Sequence, residues 1–387
     1  MRFSDRSGFD LTPNRLSRLV QAKRRAGASL IDLTQSNPTE AGLSAAPDVL
    51  AALTDPRSLR YQPDARGLVA AREAVAGDFA RRGHALDADR ILLTASTSEA
   101  YGFLFKLLCD PGDTVLVPRP SYPLFEFLAR LENVRTAFYD LDYDGEWHVS
   151  IEKLAAAIPE RARAIVVVNP NNPTGQFLKR DEAEAIEALC AARSLALISD
   201  EVFADYAFGD DPRRVTSLAR DGAALSFALG GLSKSCALPQ LKLGWIAVTG
   251  PPAPRQSALE RLEIIADSYL SVGTPVQHAA AGLLARLPEL QDPVQSRVQA
   301  NRGALQRAVH GSAVTLLGSE GGWCAILKMP RTVSEEDRVL GLLERHDVLV
   351  HPGFFFDFPS EAYLVLSLLP PEEVFSRGIS LLIKNVK

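Results

Sequence analysis

The chain is poor in cysteine, with four among 387 residues: Cys109, Cys190, Cys236 and Cys324. None forms a C-x-x-C pair and each sits in an apolar or mixed run, so a disulfide framework is not expected. They read as small buried hydrophobes. Long hydrophobic runs are missing as well. Stretches such as Ala164–Val168 and Leu243–Val248 are far too short to span a bilayer. The opening MRFSDRSGFDLTPNRL is polar and has no apolar signal-peptide core. A soluble cytoplasmic protein is therefore expected. Excess positive charge is absent too: 42 basic against 47 acidic residues leave −5. That balance gives no general pull toward nucleic acid or a membrane surface. The six histidines show no metal-ligand spacing, so no metal site is expected. There is no internal repeat and no low-complexity tract.

What is present is the composition of a folded protein. Hydrophobic residues make up 47% and charged residues 23%, which excludes disorder as the dominant state. The length is about two and a half domains' worth of chain at ~150 residues each. Short aliphatic runs bounded by Gly, Pro, Asp or Asn alternate with helical patterns. Candidate strands are Arg90–Thr94, Thr114–Pro118, Thr136–Leu141, Ala164–Val168, Leu195–Ser199, Leu225–Leu229 and Leu243–Val248. Near-continuous apolar strands imply burial on both faces, as in a mainly parallel sheet flanked by helices.

Ala100, Phe103, Leu104, Leu107 and Leu108 recur at helical spacing, and Asp110-Pro111-Gly112-Asp113 stops that helix. A second helix is expected over about Asp181–Arg193, with Ala183, Ile186, Ala188, Leu189 and Cys190 inward. Later, Trp323–Lys328 and Tyr363–Ser367 read as strands and Glu335–His346 as a helix. The expected division is an N-terminal arm at 1–40 joined to the small domain, a large domain at 41–280 and a small α+β domain at 281–387.

Four stretches carry candidate chemistry. Thr94-Ala95-Ser96-Thr97-Ser98-Glu99 puts hydroxyl residues at a helix start, where free N–H groups cradle an anion or a hydroxyl simply caps. Asn169-Pro170-Asn171-Asn172-Pro173-Thr174-Gly175 forces a tight turn at the carboxyl end of a strand, where open α/β sheets bind ligands. Ser199-Asp200-Glu201 places an acid at the end of the next strand. Gly230-Gly231-Leu232-Ser233-Lys234-Ser235 offers a lysine among small and apolar neighbours, where desolvation makes an amine a nucleophile.

In this order the four stretches resemble the class I/II aminotransferases, the fold-type-I enzymes of pyridoxal 5′-phosphate (PLP). The resemblance extends to Tyr61-Gln62-Pro63-Asp64-Ala65-Arg66-Gly67, to Pro111-Gly112-Asp113, to Pro120-Ser121-Tyr122-Pro123 and to Val348-Leu349-Val350-His351-Pro352-Gly353. It implies Lys234 as the Schiff-base lysine and proton carrier, and Asp200 as partner of the ring nitrogen. It further implies Asn172 on the ring oxygen, Tyr122 stacked on the ring, and Ser96, Thr97 and Ser98 around the phosphate, with Ser233 beside the lysine. Tyr61 would reach the site of a neighbouring subunit, which implies a homodimer.

Departures accompany the matches. Lys242 stands eight residues after the lysine, where the family has an arginine, and offers a point charge without a fork. Gly231 replaces a phosphate-binding hydroxyl residue. Phe203 replaces a tyrosine that donates to the ring oxygen, with Tyr206 a conceivable substitute. Val365, in Tyr363-Leu364-Val365-Leu366-Ser367, stands where an arginine clamps the substrate carboxylate. Another cation (Arg15, Arg60, Arg66 or Arg119) would have to replace it, or the donor is not an ordinary α-amino acid. Phe354, Phe355, Phe356 and Phe358 read as small-domain core or as an apolar wall of the site. The expected function is a PLP-dependent aminotransferase acting on an amino donor and an oxo-acid or carbonyl acceptor. The alternatives are a PLP-dependent lyase (β-elimination or decarboxylation) and a non-catalytic PLP-binding regulator.

Overall fold

The computed structural model describes residues 1–45 and 47–385. Its main sheet has eight strands: β1 (Ile91–Thr94), β2 (Thr114–Arg119), β3 (Arg135–Tyr143), β4 (Trp147–Val149), β5 (Ala162–Val168), β6 (Ala196–Asp200), β7 (Ser226–Gly231) and β8 (Gly244–Thr249). The spatial order is β1-β8-β7-β6-β5-β2-β3-β4. Strands β7, β6, β5, β2 and β3 run parallel, β8 is antiparallel to both neighbours, and β4 is antiparallel to β3. All seven strands expected from the sequence form. Strand β4 was not expected, because its three residues after Asp144-Gly145-Glu146 are too few to show a pattern.

Alternate residues of the central strands enter different apolar clusters. Ala164 and Val166 face the helix Thr97–Leu108, while Ile165 and Val167 face Ala183, Ile186 and Cys190 of the helix Arg180–Arg193. This is the period of two that a sheet covered on both faces requires. Ala188, expected inward, is exposed, because the helix turns that position away from the sheet. Each fully buried aliphatic side chain here contributes about 1.5–3 kcal/mol.

A second sheet is formed by β9 (Thr315–Leu316), β10 (Cys324–Lys328), β11 (His351–Pro352) and β12 (Tyr363–Ser367), in the order β9-β10-β12-β11, all antiparallel. One face, with Ala325, Leu327, Leu364 and Leu366, packs into a cluster that also takes Leu16, Ile31 and Leu33 of the N-terminal segment. The other face, with Ile326 and Val365, joins Leu116, Trp147, Phe356 and Phe358 and so leans on the main sheet. Among the described residues, no helix is long and apolar enough to cross a membrane.

Register decides where the chemistry sits. Val168 pairs with Asp200, Asp200 with Leu229, Gly231 with Gly244, and Gly244 with Thr94. The turn after β5, the last residue of β6, the segment after β7 and the helix after β1 therefore emerge along one edge of the sheet.

Candidate active site

Lys234 lies in the single turn Leu232–Ser235 that follows β7. Two glycines make that turn possible. A Cβ on Gly230 would stand 2.5 Å from Trp245, and one on Gly231 would stand 2.9 Å from the Leu243 carbonyl oxygen. The backbone itself therefore excludes the hydroxyl side chain that position 231 lacks. The lysine is mostly enclosed, with Nζ 5.0 Å from the Trp323 ring centre and 5.6 Å from that of Phe203. Desolvation lowers its pKa from the ordinary lysine value. Tyr206 does not replace the missing tyrosine at position 203, because its hydroxyl donates to the Lys234 backbone carbonyl at 2.8 Å. Phe203 and Tyr206 instead set their edges against Trp323.

Asp200 is buried at the end of β6. It accepts from the Val202 N–H at 3.2 Å and from the Tyr101 hydroxyl at 3.1 Å. No cation is bonded to it among the described residues, and burial pushes its pKa up to about 6. Asp200 and Lys234 each feel the other's charge. The adjacent Glu201 is a different kind of acid. It is gripped by Ser199, Ser217 and the Leu218 N–H at 2.6–3.0 Å, with Arg82 at 3.6 Å, and serves the fold.

The turn after β5 is fixed from within. Asn171 accepts from the Thr174 hydroxyl at 3.0 Å, and Asn169 binds the Leu178 N–H and the Val215 carbonyl. That leaves Asn172 half-buried, and its Oδ1 accepts from the Cys324 thiol at 3.5 Å. At the head of the helix Thr97–Leu108, the Ser96 hydroxyl is occupied as a cap on the Glu99 N–H. The Thr97 and Ser98 hydroxyls and their backbone N–H groups have no partner among the described residues, which is the donor set an anion needs. Ser233 is half-buried beside the lysine. Lys242 is exposed in the left-handed region at φ 53°, and Tyr122 is half exposed before the helix Leu124–Leu131. Tyr61 is 79% exposed.

These groups suit a phosphorylated pyridine aldehyde. They comprise a desolvated amine, a buried acid without a cation, an amide at a fixed turn, and a hydroxyl-rich helix N-terminus. Buried polar atoms without partners also gather in this region: Ser121 Oγ beside Tyr122, Asn171 Nδ2 beside Asn172, and Trp323 Nε1 beside the lysine. The family model for aminotransferase class I and II matches residues 28–374. The chain belongs to the class I and II aminotransferases.

Among the relatives of this aminotransferase, an alanine aminotransferase of Mycobacterium tuberculosis (strain ATCC 25618 / H37Rv) is 30% identical over 362 residues, covering 89% of this chain and 82% of the relative. A glutamate-pyruvate aminotransferase of Haemophilus influenzae is 26% identical over 354 residues, covering 89% and 87%. The crystal structure of an aminotransferase from Escherichia coli shares the fold with a TM-score of 0.88 at 23% identity, over 100% of this chain and 98% of that one. The protein is a PLP-dependent transaminase using an amino donor and an oxo-acid acceptor, on the α/β fold expected from the sequence.

The departures hold in three dimensions. Val365 is buried in β12, paired with Ile326 on one side and His351 on the other. Of the candidate cations, Arg15 is paired with Glu336, Arg66 with Glu263 and Arg119 with Asp140, at 2.6–2.9 Å. Arg60 is exposed beside Tyr61 and has no ion-pair partner among the described residues. Of the phenylalanines, Phe356 and Phe358 are core, Phe355 is half-buried and Phe354 is 47% exposed. Tyr101, Trp323 and Cys324 were missed in the sequence. Tyr101 lies inside the helical run but off its named apolar positions, Cys324 reads as a buried hydrophobe, and Trp323 begins an ordinary strand. A two-residue alternation from Cys324 to Ile326, on the face opposite Ala325, was the available signal for Cys324.

Proposed function

We propose that Lys234 is the catalytic amine and proton carrier of this aminotransferase, with Asp200 as the acid that holds the ring nitrogen. The observation that carries the reading is that a desolvated lysine and a buried aspartate, with no cation bonded to it, come together at one sheet edge. Bound PLP supplies an electron-accepting ring and carries the amino group between the two half-reactions. The chain does the rest. Asp200, kept dry, gains a partner for its charge when a ring N–H reaches it. Lys234, neutral more readily than an exposed lysine, would take the proton from the donor's α-carbon and return it to the carbon that carries the cofactor's aldehyde. Asn172 would donate to the ring oxygen, and Tyr122 and Phe203 would hold the ring. Thr97 and Ser98 take the phosphate at the helix N-terminus, with Ser96 fixing that terminus as its cap. Ser233 and Lys242 add a hydroxyl and a positive charge on the lysine side.

The assembly we propose is a cytoplasmic homodimer in which Tyr61 enters the neighbouring site. Its support is the exposed Tyr61, which lines one hollow with Leu270, and the nearby exposed Leu59 and Ile264. The division into 1–40, 41–280 and 281–387 is our reading of the chain. It is supported by the separation of the eight-stranded from the four-stranded sheet, by the parallel pairing of Ile31–Asp32 with Val348–Leu349, and by the cluster that the N-terminal segment shares with the C-terminal strands.

For the donor, the relatives' names support a small α-amino acid such as alanine. A second reading, a donor without an α-carboxylate, is favoured by one observation: a buried, apolar Val365 stands at the position where a carboxylate-clamping arginine is expected. The test is an absorption titration of the PLP-loaded protein with L-alanine, L-glutamate and primary amines lacking the carboxylate. Replacement of the visible band by the near-ultraviolet band of the cofactor's amine form identifies the donor class. An unchanged visible band with ammonia release refutes transamination. Absence of any visible band in the parent protein, restored by no donor, refutes the Lys234 assignment.

A further inference from the structure

Cys324 is the first residue of β10, on the face that carries Ile326 toward the main sheet. Its thiol lies 3.5 Å from Asn172 Oδ1. An S–H donates weakly and an amide oxygen accepts, and in the structure it is this end of the Asn172 amide that faces β10. The oxygen faces the thiol, and the NH2 group is turned away from it. Burial pushes the thiol up to about 12, so it stays protonated and keeps its hydrogen at neutral pH. The backbone around Asn172 is already fixed by the bonds inside its turn. Only the two side-chain torsions of Asn172 remain to be set.

Orientation matters here because substitutes are missing. Phe203 has no hydroxyl, and the Tyr206 hydroxyl is held by the Lys234 carbonyl. We propose that Cys324 is a positioning residue: its thiol holds the Asn172 amide with the NH2 group presented to the ring oxygen of the cofactor. The inference rests on the assignment of Asn172 made above, and on that assignment it adds what keeps the amide from flipping.

The experiment compares the full-length parent with Cys324→Ala, Cys324→Val, Cys324→Ser and Asn172→Ala. Two readouts are used: PLP affinity from quenching of tryptophan fluorescence, and the absorption maximum of bound PLP. Alanine removes the donor, valine removes it while keeping the volume, and serine keeps a donor. Cys324→Ala and Cys324→Val are expected to weaken PLP binding about 2- to 10-fold, the range of one neutral hydrogen bond, and to move the absorption maximum. Cys324→Ser is expected to stay within about twofold of the parent, with the maximum unmoved. If Asn172→Ala changes both readouts but Cys324→Ala and Cys324→Val change neither, the positioning role is overturned and the Asn172 assignment stands. If serine behaves like valine, packing and not donation is at work, which also overturns it. If Asn172→Ala itself changes nothing, the underlying assignment falls and takes the inference with it.

Discussion

Asp200→Asn separates the needs of the site from those of the fold. The native carboxyl has its pKa pushed from an ordinary 3.8 to about 6 by burial. In the unfolded chain it ionises near the ordinary value. Between those two pH values the folded state holds a proton that the unfolded state has lost. Stability in the cofactor-free protein therefore falls as pH rises from about 4 to about 6, and stays lower above that. A gap of roughly two units corresponds to about 3 kcal/mol. Asparagine is nearly the same shape, still accepts from Val202 or Tyr101, and does not ionise. Cofactor-free Asp200→Asn is thus expected to outlast the parent in thermal or urea unfolding at pH 7.5, by up to about 3 kcal/mol. The two proteins should converge near pH 4. All other titrating groups are common to both, so the difference curve isolates this one. Saturating PLP should reverse the order, because only the carboxylate gains from a ring N–H. A mutant less stable than the parent at pH 7.5, or a difference that does not vary with pH, would refute the picture of a desolvated, cation-free acid.

Lys234→Ala is expected to abolish turnover and to leave PLP reversibly bound without its visible band; turnover within tenfold of the parent would remove Lys234 from its role. Tyr101→Phe takes away one of the two bonds to Asp200, and is expected to raise the acid's pKa further and weaken PLP binding a few-fold, about one hydrogen bond's worth, as checked by fluorescence titration. Val365→Arg puts a cation opposite His351 and Ile326. It should raise kcat/KM for L-alanine relative to an amine lacking the carboxylate, at a cost of about 1–3 kcal/mol in folding stability from overpacking; an unchanged ratio would mean that another cation already holds the carboxylate.

Much of this fold was legible because its central strands are covered on both sides. Such strands read as unbroken aliphatic runs, and Ala164–Val168 needed no partner to be recognised. The ends of Glu335–His346 were equally clear: Ser334 caps the start, and Asp347 in the left-handed conformation closes it. Strand β4 escaped because three residues carry no period. Asp200 was legible as a residue but not as a chemical environment. Its burial, and its bond to Tyr101 from a helix ninety-nine positions earlier, exist only after β1 and β6 are brought into one sheet.

The same limit explains which site residues were found. Asp200 ends a strand and Asn172 and Lys234 lie within a few residues of one, so the order of strands and turns announced them. Cys324, Trp323 and Tyr101 act through contacts made across the fold, and their local sequence is that of a core. Gly231 shows how the two kinds of information combine. In the sequence it is a missing hydroxyl. In the structure it is a place where β7 comes so near Leu243 and Gly244 that no side chain fits. The departure at 231 is then set by the strand packing that carries Lys234. Restoring a hydroxyl there would displace the turn that carries Lys234 before it could help bind a phosphate. By contrast, Val365 and Phe203 are buried side chains on ordinary backbone, where the main chain leaves room for a Cβ. No such constraint forces them, so these two are the substitutions whose reversal can report on substrate choice and ring chemistry.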